Sequence, residues 1–270
     1  MTHTLRIVLL GTGCSTGVPR VDGYWGACDP ENPKNRRRRC CAWVSAWKKE
    51  TPECKTSIII DTSPDLHQQV ISAGVPHVDA VLWTHDHADQ THGIDDLRAF
   101  IFHREAPIDG YMDEATHRTL MDRFSYVFQG NLGYPPVYQD HLIPPHGDRW
   151  LITGEGGGVP VSTFDQAHGP IRSVGYRVGD IAYSSDVSDI PEESFAALRG
   201  LKLWVVDCLR YKPHPTHSHL EKTLSWIERV RPERAILTNL HQDMDYETLK
   251  AQLPANVEPA YDLMSVDVPL

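Results

Sequence analysis

Apolar residues in this chain fall mostly in short runs rather than long helical stripes. Residues 5–10 (LRIVLL), 41–47 (CAWVSAW), 57–61 (SIIID), 78–83, 159–165, the segments SVGYRV and IAYSSD up to residue 186, 201–207 (LKLWVVD) and the strand within ERAILTNLH each have the length and β-branched content of a buried strand. Between them lie stretches of helical character. Residues 64–72 and the IDDLRAF segment read as helices. Residues 113–128 place Leu120, Met121, Phe124 and Val127 on one stripe, and residues 220–230 are amphipathic. Residues 21–39, rich in Gly, Pro, Asn and charge, read as a loop, and residues 132–145 as an irregular segment rich in Pro and Tyr. This pattern alone predicts an α/β fold with mixed sheets. The chain reads as a single domain over residues 1–270.

Composition narrows the partners. Twenty-six basic against thirty-six acidic residues give a formal net charge of −10, which argues against a broad nucleic-acid surface. The basic run at residues 36–39 is the exception, and it reads as a solvated loop in preference to a phosphate-contacting patch. The six cysteines have no C-x-x-C spacing, no secretory signal is visible, and no apolar stretch approaches a membrane span. These features predict a reduced, soluble, cytoplasmic protein.

The chemistry concentrates at strand ends. VLWTHDHADQTHGIDDL, residues 81–97, begins as the end of an apolar run and then presents His85, His87 and Asp89 at intervals of two. In an extended segment such residues point to one side. Imidazole and carboxylate together suit zinc and other first-row divalent ions. Further candidates follow later strands: His168, Asp186, the His-rich segment RYKPHPTHSH before the last long helix, and Asn239-Leu240-His241. Asp61 closes SIIID. Support of a metal-binding His and capping of the following helix are equally open to it.

The H-x-H-x-D motif resembles the H-x-H-x-D-H signature of the metallo-β-lactamase superfamily. GTG followed by GVP at residues 11–19 resembles the opening of its ribonuclease Z-like and PhnP-like members. The resemblance extends from Leu5 to about Tyr246 and implies a four-layer αββα metallo-β-lactamase sandwich with its site at one edge between the sheets. It implies that His85, His87 and His168 hold a first metal. Asp186 would bridge to a second, held by Asp89, a further His of the central motif and His241. Zinc is the expected ion, one or two per chain, with manganese also possible. PhnP-like members carry a three-cysteine structural zinc site near residues 21–39. Only Cys28 remains here, so no such site is expected.

Two positions depart from the pattern. Gln90 stands where the signature has its last His, with His92 two residues on. Asn239 stands where PhnP-like members have their final His, and His241, two further, is preferred as the ligand on the assumption of extended backbone. A full metal pair using His92, a weak second site and a single-metal site all remain open. The resemblance implies a phosphodiesterase for a small cyclic or nucleotide-like diester. Metal-activated hydroxide would attack phosphorus, Asp89 would sit at the reacting centre, and His217 of PHPTHSHL would be the general acid. A homodimer is also implied. The alternatives are a tRNA 3′-processing nuclease, disfavoured by the acidic balance and the missing Gly- and Lys-rich arm, and a thioester or lactam hydrolase, disfavoured by GTG–GVP and PTHSHL. A non-catalytic metal- or nucleotide-binding protein impaired by Gln90 is the third.

Overall fold

The computed structural model describes residues 3–270. In chain order the strands are β1 (His3–Gly11), β2 (Cys41–Lys48), β3 (Thr51–Ile60), β4 (Ala80–Leu82), β5 (Ile108–Met112), β6 (Tyr138–Leu142), β7 (Arg149–Gly154), β8 (Gly157–His168), β9 (Ile171–Val178), β10 (Ile181–Ser184), β11 (Leu203–Asp207), β12 (Arg234–Thr238), β13 (Val257–Pro259) and β14 (Met264–Pro269). The helices are α1 (Leu66–Ala73), α2 (Ala88–Thr91), α3 (Arg98–Arg104), α4 (Glu114–Gln129), α5 (Leu220–Val230) and α6 (Tyr246–Lys250). One sheet has the order β14-β1-β2-β3-β4-β5-β6, the other β13-β12-β11-β10-β9-β8-β7.

Side-chain alternation makes four layers of this. In β1, Leu5, Ile7 and Leu9 join the core between the sheets, while Val8 and Leu10 join the core beneath the helices. In β3, Ile58 and Ile60 face inward and Ile59 outward. In β11, Leu203 and Val205 face inward, Trp204 and Val206 outward. Strands buried on both faces read as continuous apolar runs, which is why the run lengths, not alternation, marked them. Leu66, Ile101, Leu120 and Val127 cover the first sheet, and Trp226, Ile227 and Leu249 the second. The result is the expected αββα sandwich. Among the described residues, no helix is long and apolar enough to cross a membrane.

Two expectations need correction here. The irregular segment at residues 132–145 contains β6, which pairs in parallel with β5. The basic run is not a solvated loop. Backbone pairing of Arg37 and Arg38 with Gly13 and Val18 fixes the segment. Arg37 is then buried, and its guanidinium donates to the carbonyls of Met244 (2.7 Å) and His241 (3.3 Å) and to Asn35 Oδ1 (3.2 Å). Arg38 pairs with Asp262 and Arg39 with Asp65, each at 3.0 Å.

Candidate metal centre

The site gathers at the carboxyl ends of parallel neighbours: β3 and β4 in one sheet, β10, β11 and β12 in the other. Open α/β sheets present ligands at these ends. Three strand ends share one device. Asp61, Asp186 and Asn239 have φ of 63°, 55° and 63°, a left-handed conformation that Asp and Asn adopt more readily than most residues. At each, the backbone swings out of the strand and leaves a short polar side chain buried at the edge.

His85, His87 and His168 each offer a ring nitrogen, and these atoms lie within 4.8 Å of one another. Their tautomers follow from their second nitrogens. His168 Nδ1 lies 2.6 Å from the Thr216 carbonyl and must donate to it, which turns Nε2 with its lone pair toward the others. Asp61 accepts the Thr84 amide (2.8 Å) and hydroxyl (3.0 Å), and His85 Nδ1 lies 3.0 Å from that hydroxyl. With the Thr84 proton given to Asp61, His85 donates from Nδ1 and its Nε2 lone pair is left free. Asp61 therefore supports a His through Thr84 and does not cap α1, whose N-cap is Asp65. Burial drives the His85 pKa down to about 3, so this ring is neutral.

His85 Nε2 is buried and has no hydrogen-bond partner. A lone pair aimed at two further imidazoles and a buried carboxylate fits a divalent cation, which satisfies all of them at once. Asp186 Oδ1 lies 3.9 Å from His168 Nε2, beside this group. Burial works against its charge, but His85, His217, His168 and the Ser185 hydroxyl outweigh that and keep its carboxyl below the usual range.

The second half of the expected pair is built differently. Gln90 is fully buried because the motif is stitched to the end of β3: the Thr62 amide donates to the Gln90 carbonyl (2.7 Å) and the Gly93 amide to the Thr62 carbonyl (2.9 Å). Any Cβ at Gly93 would stand 2.1 Å from the Ser63 carbonyl oxygen, so only glycine permits this approach. Gln90 Nε2 then donates to Asp186 Oδ2 (3.0 Å) and Asp89 Oδ2 (3.3 Å). The amide thus bridges the two carboxylates, while its own Oε1 is buried without a hydrogen-bond partner. Burial, then the neighbouring Asp186 charge, pushes the Asp89 carboxyl up.

The structure does not bring His92 or His241 to the centre. His92 follows the helical turn α2, where two residues advance about 200° around the axis. It is exposed, with its ring 5.7 Å from that of Phe124. His241 misses because Asn239 is left-handed and breaks the extended geometry assumed for residues 239–241. The His241 ring turns to its own loop, where Nδ1 accepts from the Asp243 amide at 3.3 Å. Asn239 itself stays, with Nδ2 3.2 Å from His217 Nδ1.

His217 joins His168 and Asp186 in a second convergent group. Its Nδ1 lies 2.9 Å from Asp207 Oδ2, which also accepts the Val187 amide at 2.9 Å. Burial opposes the charge on His217, but Asp207 and Asp186 outweigh it and raise the pKa to about 9. Burial lifts Asp207 to about 6 despite His217. At neutral pH the two are an ion pair. Sequence reasoning assigned no role to Asp207, and it weighed Gln90 as a lost or weak ligand, not as a hydrogen-bond donor. The signal for Asp207 was present: LKLWVVD ends in a carboxylate as SIIID does. His87, His168, Asp186, His217, Asp89 and Ser15 line a cleft of about 360 Å³.

Comparison with known proteins agrees with this fold. Residues 56–239 match the model of the β-lactamase superfamily domain. The crystal structure of a diphosphatase from the PhnP family superposes with a TM-score of 0.85 at 31% identity, covering 100% of this chain and 99% of that one. Zn²⁺-bound PqqB from Methylobacterium extorquens superposes with a TM-score of 0.74 at 16% identity, over 97% and 100% of the two chains, a likeness of fold. An octanoyltransferase of Porphyromonas gingivalis is 32% identical over 261 residues, 96% of this chain and 50% of that protein. The chain thus spans about half the length of the curated relative it matches.

Proposed function

The chain belongs to the β-lactamase superfamily of metal-dependent hydrolases, and from that premise we propose that it hydrolyses a small phosphodiester at a centre holding one divalent ion. The observation that carries this reading is the division of labour among buried groups. His85, His87, His168 and Asp186 would hold the ion, while the Gln90 amide bridges the two carboxylates beside it. Zinc suits three imidazoles and one carboxylate. A bound ion supplies Lewis acidity toward a phosphoryl oxygen and toward water.

The protein's own groups divide the remaining work. Asp207 fixes His217 through Nδ1, so Nε2 is the nitrogen available to the cleft. In that position His217 can pass a proton to a departing alkoxide, a role suited to imidazolium. Asp89 faces the same cleft and can orient or accept a proton from water. The similarity to a diphosphatase of the PhnP family supports phosphoryl chemistry. The net charge of −10 weighs against a tRNA substrate. Five of the six thiols, Cys14, Cys28, Cys40, Cys41 and Cys208, are buried, and burial raises each of their pKa values, which weighs against acyl transfer through them.

The test is metal content per chain on protein purified without chelator, with bis-p-nitrophenyl phosphate hydrolysis measured under added zinc or manganese. One ion with turnover is expected. Two ions per chain would overturn the single-ion centre. Bound metal without turnover of any diester would make the chain a binding protein.

A further inference from the structure

Two histidines line the metal cleft from the loop between β11 and α5, and opposite chemistry holds their Nδ1 atoms. His217 Nδ1 meets a carboxylate, that of Asp207, at 2.9 Å. His214 Nδ1 accepts the Thr216 amide at 3.3 Å, with the Thr216 hydroxyl 3.2 Å away. An amide N–H can only donate, so His214 Nδ1 carries the lone pair and the ring proton sits on Nε2. Among the described residues, no group accepts from that Nε2. Nδ1 is turned back onto its own loop, which leaves the Nε2–H for the cleft. Burial, then the neighbouring His217, lowers the His214 pKa, so at neutral pH this ring is an uncharged donor beside a charged one.

The loop that presents His214 is held in place. His214 lies between Pro213 and Pro215. Each proline fixes its own φ and restricts the residue before it. Arg210 donates from Nε to the Lys212 carbonyl (3.1 Å) and from Nη2 to the Pro213 carbonyl (2.7 Å). The base of the loop is closed by Leu209 N to Ser218 O (3.1 Å) and Leu220 N to Arg210 O (3.0 Å). Ser218 N donates to Val187 O (2.6 Å), which anchors the loop next to Asp186. Thr216 serves both sides of the cleft: its carbonyl sets the tautomer of His168 and its amide that of His214. A donor already in position when charge develops costs no reorganisation at that moment.

We propose that His214 is a further catalytic residue of this centre, whose Nε2–H donates to a non-bridging oxygen of the phosphoryl group and stabilises the charge that gathers there. No bond to hydrogen is broken at His214, and the proton for the leaving group remains the task of His217. This rests on the phosphodiesterase reading and adds to it the partner of one phosphoryl oxygen.

The experiment combines kinetics and NMR on zinc-loaded protein. His214→Ala should lower kcat/KM for bis-p-nitrophenyl phosphate by about tenfold or more, with metal content and the limbs of the pH–rate profile unchanged. His214→Gln, whose amide nitrogen can take the place of Nε2, should recover part of the loss. A chiral phosphorothioate diester supplies the geometric readout, because sulfur is the poorer acceptor. For one diastereomer alone, the ratio of oxygen to sulfur rates should be smaller in His214→Ala than in the wild type. Long-range ¹H–¹⁵N spectra should show His214 in its Nε2–H form, with the Nε2 resonance moving when inorganic phosphate is added. A ring in the Nδ1–H form, an unchanged oxygen-to-sulfur ratio for both diastereomers, or loss of metal in both variants would overturn this role while diester turnover by the wild type kept the phosphodiesterase reading intact. No turnover of any diester under added zinc or manganese would sink that reading and the role of His214 with it.

Discussion

Two buried polar clusters in this protein solve one electrostatic problem in opposite ways. At the metal centre, imidazoles and carboxylates converge around an open position, and His85 Nε2 is left unpartnered. At the Arg37 cluster the cation is part of the chain. Its guanidinium reaches Cys28 Sγ (3.6 Å), Asn35 Oδ1 and the carbonyls of His241 and Met244. The first cluster needs an ion from solution and can therefore do chemistry with it. The second is permanently closed and ties residues 28–37 to residues 241–246. The Gln90 amide stands between these extremes: it is a neutral donor that bridges Asp89 and Asp186 without adding charge. Acceptors that must be satisfied do not specify how, and only the intended chemistry separates the two solutions.

The comparison is broken hardest at its open end. His85→Ala or His168→Ala should abolish stoichiometric metal binding and lower diester turnover by about a thousandfold or more, read by elemental analysis and initial rates. Chelation of the wild type should do the same reversibly and lower its melting temperature, because the ion binds only the folded state. At the closed end the effect is on stability. Arg37→Met strands the Met244 and His241 carbonyls and should destabilise by about 2–5 kcal/mol in urea unfolding. That loss should be the same with and without metal, and a loss that disappears on chelation would erase the distinction between the clusters.

Asp207→Asn should lower kcat by about ten- to a hundredfold with KM little changed, since it positions His217 without lining the cleft. A purely structural role for Asp207 would change stability and leave kcat alone. The smallest effect belongs to pH. Burial pushes Asp245 upward, but hydrogen bonds from Thr248, Asn35 and Asp29 outweigh this and hold it at about 2. Its folded pKa lies below the ordinary carboxylate value near 3.9. Its contribution is therefore present above about pH 4 and lost as pH falls toward 2. Asp245→Asn should flatten the acid limb of the stability curve in that window, and an unchanged limb would show that the Arg37 cluster does not depend on this carboxylate.

The sequence carried the fold well because both sheets are buried on two faces. Runs such as LRIVLL and LKLWVVD are then largely apolar, and the site residues lie at or just beyond strand ends that meet at one edge. His85, His87, His168 and Asp186 were legible for that reason. The failures came where backbone geometry changed within a few residues. His241 was placed by period-two reasoning and His92 as the nearest stand-in for the missing His, but Asn239 is left-handed and α2 is a helical turn. The basic run misled for a related reason: charge suggested solvent, whereas pairing of residues 37 and 38 with residues 13 and 18 drew Arg37 inside. Gln90 was visible as a departure. Its action as a donor to two carboxylates depends on distances that no one-dimensional pattern contains.

The left-handed residues at the three strand ends have one more consequence. Only a small alphabet occupies such backbone cheaply, chiefly Gly, Asn and Asp. In that alphabet the choices are no side chain, an amide or a carboxylate. Positions 61, 186 and 239 can exchange among these with little disturbance to the sheets behind them, so the charge of the socket is adjustable almost independently of its scaffold. A lineage with this architecture can move between strongly anionic and nearly neutral centres by single substitutions at strand ends, and so retune which ion it holds while keeping its fold.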